Sequence, residues 1–224
     1  RCCKLPKTDE KMAQEHIEKF VKESLELGWR WDKIVILGGE PTLHPELFKI
    51  VDALKRYKDA NKKCRFNIFS NRLIARTKKL INDLPQWIKS DFGALDDGRR
   101  GPKSTPDQPK YFPFTVAPID VGMARVRSGC EVSVSCGMGL SRYGYYACGM
   151  CAAIDRVMGF DVGIKRLADV NARALKKQLD LCCRLCGYKA RGRYPREKSG
   201  ETISDTWKKA LDKYNQKRPA LGIY

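Results

Sequence analysis

The chain has 224 residues, 42% of them hydrophobic, and carries 44 Lys and Arg against 26 Asp and Glu, a formal net charge of +18 at pH 7. A chain of this length and apolar content buries a real core in one or two domains, and the absence of any apolar run long enough to cross a bilayer excludes a transmembrane helix and predicts a soluble, cytoplasmic protein with no membrane partner. The basic excess predicts a surface that attracts nucleic acid, anionic peptide or phosphorylated ligands. Because the first residue is Arg1 rather than Met, we expect a processed chain or a fragment.

From Thr8, the segment TDEKMAQEHIEKFVKESLELG places Met12, Ile17, Phe20, Val21 and Leu25 on one side. That spacing predicts an amphipathic helix with Thr8 as N-cap and Gly28 as its stop. DKIVIL, closed by Gly38 and Gly39, reads as a strand buried on both faces of a parallel sheet. Pro45 then opens a second helix in which Leu47, Phe48, Val51, Leu54 and Tyr57 recur at helical spacing. CRFNIFSN reads as a strand ending in a polar Ser70-Asn71 turn, and IARTKKLINDLP as a helix stopped at Pro85. This alternation predicts right-handed crossovers and a parallel sheet, open or closed into part of a barrel.

Past residue 90 the chain becomes rich in Gly, Pro and charge, the signature of a long loop or linker. CEVSVSC and GYYAC follow with the look of strands. IKRLADVNARALKKQLDL is helical in pattern, with Leu167, Val170, Ala174 and Leu179 on its apolar face, and it runs straight into CCRLCG. A basic tail leads to a short helix from Ser204 carrying Trp207, Leu211 and Tyr214. The basic stretches at 55–65, 99–110 and 189–198 read first as solvated surface and second as RNA contacts whose affinity falls steeply with salt.

Two features carry chemistry. In ILGGEPTLHPEL a strand hands over to a helix through Gly38, Gly39, Glu40 and Pro41. Ligands of parallel sheets bind beyond the carboxyl ends of the strands, and side-chain-free glycines let a ligand lie against the backbone. Glu40 then either bonds a cationic group such as an amine or only stabilises the helix N-terminus.

The second feature is cysteine. Seven of the ten cysteines, at 130, 136, 148, 151, 182, 183 and 186, fall within one 57-residue stretch. Cys148-x2-Cys151 and Cys183-x2-Cys186 are paired chelating units 31 residues apart, and both histidines, His16 and His44, lie far away in sequence, so a metal there is held mainly by sulfur. Zinc and an iron-sulfur cluster each take four thiolates, and spacing alone leaves both open. Cys64 reads as a small buried apolar residue in a strand.

Taken together, GGEPTLHPEL and the cysteines resemble the radical S-adenosylmethionine superfamily, whose members carry a Cys-x3-Cys-x2-Cys motif after the first strand and a Gly-Gly-Glu-Pro motif after the second. RCC stands upstream at the expected distance, which makes Cys3, or else Cys2, the last cysteine of the first motif, with the other two expected before Arg1. FSN, with Ser70 and Asn71, sits where the family has a TNG-like strand end, although Arg72 replaces the glycine. Farther on, CEVSVSCGMGLSRYGYYACGMC followed by CCRLCGY is similar to the auxiliary-cluster regions of the SPASM and twitch type.

The resemblance implies a partial parallel barrel over residues 1–112, a cysteine-rich auxiliary region over 113–190 and a basic tail over 191–224. It also implies a 4Fe-4S cluster that chelates S-adenosylmethionine and cleaves it reductively to a 5'-deoxyadenosyl radical for hydrogen abstraction. Gly38, Gly39, Glu40 and Pro41 would hold the methionyl group, with Ser70 and Asn71 lining the same pocket. Cys130, Cys148, Cys183 and Cys186 would hold an auxiliary iron-sulfur cluster, with Cys136, Cys151 and Cys182 as alternates. The partners implied are an electron donor such as flavodoxin or ferredoxin and a peptide or protein substrate. Two other readings stay open: a zinc-binding module that contacts nucleic acid, and an adaptor that keeps the fold without the chemistry.

Overall fold

The computed structural model describes residues 8–70, 75–92, 120, 130, 133, 137–187 and 203–224. They form two compact units, Lys11–Gln108 and a second made of Arg1–Glu10 with Pro109–Tyr224.

The first unit is mixed α/β. Its elements are α1 (Gln14–Glu26), β1 (Lys33–Ile36), α2 (Leu47–Ala60), β2 (Arg65–Ser70), α3 (Ala75–Asn82) and β3 (Ile88–Phe92). The three strands pair in parallel in the order β1-β2-β3, with Ile34 opposite Phe66 and Ile68 opposite Ser90. The expected parallel sheet is therefore present as a small open one, and among the described residues it does not close into a barrel.

That order also corrects the expectation for β1. The central strand β2 buries Phe66, Asn67 and Ile68, whereas β1, with one described neighbour, is only half-buried, and Leu37 just beyond it is 67% exposed. Ile88–Phe92 shows no strand pattern in the sequence, because polar Lys89, Ser90 and Asp91 fill its middle. Pairing with β2 makes it a strand.

Helix α1 begins at Gln14, later than Thr8 promised. The Thr8 hydroxyl accepts the Glu10 N–H at 3.2 Å, and the helix start is closed instead by His16, whose Nδ1 accepts the Ala13 N–H at 3.1 Å. Its end is as expected, since Gly28 takes φ +61°, the left-handed conformation that glycine adopts without strain. Helix α2 buries Leu47, Ile50, Val51, Ala53, Leu54 and Tyr57, while Phe48, expected on that face, is 40% exposed. Tyr57 ties the helix to the loop before β1: its hydroxyl donates to the Trp29 carbonyl at 2.7 Å and accepts the Trp31 N–H at 2.9 Å. The basic stretch around Lys55–Lys62 is a solvated helix end in which Lys55 and Lys62 both pair with Asp59.

The second unit holds an antiparallel pair, β4 (Gly139–Ser141) and β5 (Gly144–Tyr146), and three helices, α4 (Gly149–Met158), α5 (Ala172–Cys182) and α6 (Asp205–Gln216). Gly144 takes φ +121° and lies so close to Ile164 that a Cβ there would stand 2.4 Å from the Ile164 carbonyl oxygen. That approach lets Tyr145 bridge to Ile164.

Helix α4 escaped the sequence reading, and the single helix expected over 164–181 is broken. Leu167–Asp169 makes a 3-10 turn, and Asn171 restarts the chain as an N-cap, its Oδ1 accepting the Ala174 N–H at 3.0 Å. Within the predicted strand CEVSVSC, Ser133 is helical and its hydroxyl reaches back to the Cys130 carbonyl; the flanking positions lie outside the described residues. Ser204 caps α6 as expected. Trp207 is fully buried from that helix, its indole N–H donating to the Leu185 carbonyl at 2.8 Å.

Candidate functional site

The glycine turn stands at the carboxyl end of β1. Gly38 and Gly39 follow the strand, and Glu40 caps a 3-10 turn, Pro41–Leu43, that leads toward α2. Glu40 Oε1 accepts both the Thr42 N–H at 3.2 Å and the Thr42 hydroxyl at 2.8 Å. Glu40 therefore caps this short turn rather than the N-terminus of α2, whose N-cap is Glu46, and the two bonds fix its carboxylate at the strand end. Pro41 and Thr42 are buried, and the Thr42 hydroxyl lies 3.2 Å from that of Thr77, which ties α3 to the turn. Thr42 and Thr77 were not singled out in the sequence, since a threonine pair 35 positions apart leaves no pattern.

Neither Gly38 nor Gly39 has the positive φ that would require glycine, and a Cβ at either would meet nothing within 4 Å among the described residues. No steric demand of the described fold accounts for two adjacent glycines here. Ser70 ends the neighbouring strand β2 and is buried, so the structure brings Gly38, Gly39, Glu40, Pro41 and Ser70 to the same end of one sheet. Asn71, Cys2 and Cys3 lie outside the described residues.

In the second unit, six cysteines converge. Cys130, Cys148, Cys151, Cys182, Cys183 and Cys186 line one cavity with Ser133, Met150, Ile154 and Leu179. None of the six is disulfide-bonded. Cys136 lies outside the described residues. The local folding explains the convergence. Cys148 is the N-cap of α4 and Cys151 sits in its first turn, while Cys182 ends α5 and Cys183–Leu185 forms a 3-10 turn closed by Cys186, whose N–H reaches the Cys183 carbonyl at 3.2 Å. Each Cys-x2-Cys unit therefore occupies a helical turn that carries both thiols.

The six separate into two groups. Cys151 and Cys182 are 1% and 2% exposed, and each thiol donates to a carbonyl, Gln178 O at 3.7 Å for Cys151 and Cys151 O at 3.8 Å for Cys182. Cys130, Cys183 and Cys186 are half-buried, and Cys148 lies at the limit of burial at 9%.

The neighbouring Cys182 thiol, and then burial, push the Cys151 thiol far above its ordinary range. Burial also raises the Cys148 thiol above its ordinary range, and the N–H groups of Cys151 and Met150 offset only part of that rise. All the donors are sulfur, which suits zinc or an iron-sulfur cluster and not a hard cation. Among the described residues, no three His, Cys, Asp or Glu side chains already share metal-binding geometry, so binding would draw the thiols together and release their protons.

Neither histidine belongs to this cavity. His16 closes α1, and His44 contacts the Met12 carbonyl through Nε2 at 3.0 Å and accepts the Glu46 N–H through Nδ1 at 3.1 Å.

One turn after Cys151 on α4, Asp155 is completely buried. Its Oδ2 accepts the Tyr146 hydroxyl at 2.7 Å and the Val162 N–H at 3.2 Å, and Oδ1 has no partner among the described residues. Burial raises the Asp155 pKa above its ordinary 3.8, against the pull of the Tyr146 bond. A carboxyl raised in the folded state contributes stability that is complete below the unfolded pKa and is lost as pH climbs through the folded one. Asp155→Asn should therefore gain on the wild type as pH rises from 3.8, read by urea denaturation across pH. A difference independent of pH would contradict this.

Fold and site define a mixed α/β chain with a glycine-lined strand end in one unit and a thiol-lined cavity in the other. Compared with protein-family models, curated proteins and solved structures, the chain gives no match.

Proposed function

We propose that this chain belongs to a radical S-adenosylmethionine enzyme, with the donor held at the glycine turn and an auxiliary iron-sulfur cluster in the thiol cavity. The observation that supports the reading is that, among the described residues, nothing lies within 4 Å of a Cβ built on Gly38 or Gly39 at the end of a parallel strand. Two glycines that the described fold does not require are accounted for by a ligand lying against their backbone. The convergence of six cysteines on one cavity is the second support.

In this reading the chain's own residues bind and orient. Glu40, fixed by Thr42, and the flanking backbone receive the methionyl amine, Pro41 stiffens the turn, and Ser70 closes the adjacent strand end. The bound cluster and donor supply one-electron cleavage of a sulfonium carbon-sulfur bond, and the protein contributes position and exclusion of water. A basic chain of +18 suits a docked electron donor such as flavodoxin or ferredoxin and a peptide or protein substrate.

The test is Gly39→Ala in the protein expressed from its complete coding sequence. With nothing within 4 Å among the described residues and no positive φ, the alanine should leave the fold intact or add about 0.4–1 kcal/mol of stability. S-adenosylmethionine binding, and the release of 5'-deoxyadenosine after anaerobic reduction, should fall together. Unchanged binding in a folded variant contradicts the assignment. Zinc in place of iron after reconstitution would favour the zinc-binding module.

A further inference from the structure

Gln178 is 1% exposed, an unusual place for a primary amide, and every end of its side chain is occupied by backbone. Oε1 accepts the Ala147 N–H at 2.7 Å, while Nε2 donates to the Tyr145 carbonyl at 2.9 Å and to the Val162 carbonyl at 2.7 Å. One donor N–H and two carbonyls leave the amide a single orientation, with both its hydrogens used. These bonds have a common geography. Gln178 lies on α5, one turn before Cys182, and Tyr145 and Ala147 are two of the three residues that precede Cys148. One side chain therefore ties the segment that presents Cys148 and Cys151 to the segment that presents Cys182, Cys183 and Cys186.

Apolar packing could join the two segments, but it is non-directional and tolerates sliding. A satisfied buried network fixes distance and register, and leaving any of its backbone partners unpaired is costly. Its main-chain carbonyl also receives the Cys151 thiol at 3.7 Å, so the same residue engages one of the two innermost cysteines.

On the metal reading of the thiol cavity, we propose that Gln178 is its positioning residue, setting the separation of the two Cys-x2-Cys turns so that thiols from both reach one metal group. The role is indirect: Gln178 touches no metal and acts through the backbone before Cys148.

The test uses Co2+ titrated into the metal-free chain under nitrogen, because the thiolate-to-cobalt absorption reports how many sulfurs bind. Gln178→Glu keeps the shape but turns an acceptor toward two carbonyls; Gln178→Met keeps length and removes all three bonds, and serves if the first variant does not fold. Tyr224→Phe is the control, since it removes a buried hydroxyl pair with Tyr145 in the same unit without joining cysteine segments. We expect the Gln178 variants to bind Co2+ about 10- to 100-fold more weakly and with fewer sulfurs. The control should lower thermal stability and leave affinity and spectrum unchanged. Wild-type affinity and spectrum in a folded Gln178 variant overturn the proposal. A wild-type chain that takes up no Co2+, iron or zinc overturns the metal reading itself, and the positioning role with it.

Discussion

Cys148→Ser should abolish metal retention in the thiol cavity, and Cys151→Ser, three residues away, should not. The two are neighbours on the first turn of α4, but their thiols live differently. Cys148 is the N-cap of α4 and lines the cavity with the half-buried Cys130, Cys183 and Cys186. Cys151 is 1% exposed, its thiol donates to the Gln178 carbonyl, and its own carbonyl accepts the Cys182 thiol. Extracting it as a ligand would break those contacts. A serine at 151 keeps a hydroxyl able to donate to the same carbonyl, whereas a serine at 148 replaces a soft thiolate by a poor ligand for zinc or iron. Cys183→Ser should behave like Cys148→Ser, and Cys182→Ser like Cys151→Ser. Metal content of each purified variant checks the division. Loss of metal in all four would mean that the inner pair ligates as well.

Trp207→Ala should remove most of the stability of the second unit. The indole is fully buried in a core shared by Tyr146, Cys151, Ile154, Val157, Leu185 and Tyr214, and its N–H holds the Leu185 carbonyl inside the turn between Cys183 and Cys186. Truncating a buried Trp costs about 3–5 kcal/mol, a large share of the ~5–15 kcal/mol that holds a typical domain. The orphaned carbonyl adds to that loss. Chemical denaturation followed by far-UV circular dichroism gives the number. A loss under about 1 kcal/mol would show that α6 is not integral to this core.

The parts legible in the sequence are those written in local chemistry. Gly28 announced the end of α1 by the conformation only glycine takes easily, Ser204 announced the start of α6, and the strands on either side of α2 followed from their apolar runs. Clustering in sequence likewise singled out seven cysteines, of which six line the cavity and the seventh, Cys136, lies outside the described residues. What stayed hidden depends on partners distant in the chain. Ile88–Phe92 is a strand because β2 pairs with it, Phe48 is exposed because Ile50 and Ala53 take the buried face, and the single helix expected over 164–181 breaks at Asn171 because its amide caps better than it propagates. Gln178 and Asp155 look like surface polar residues in sequence. Only the folded second unit shows one tying two cysteine segments together and the other buried with an unpartnered oxygen.

The central claim is that the clustered thiols hold an iron-sulfur group. It is tested most directly by iron, acid-labile sulfide and zinc contents measured together after anaerobic reconstitution, in the wild type and in a Cys148→Ser, Cys183→Ser double variant. The account predicts iron and sulfide in equal amounts in the wild type, and in the double variant a loss of the share held by the cavity. Zinc without sulfide in the wild type, or undiminished iron in the double variant, would contradict it.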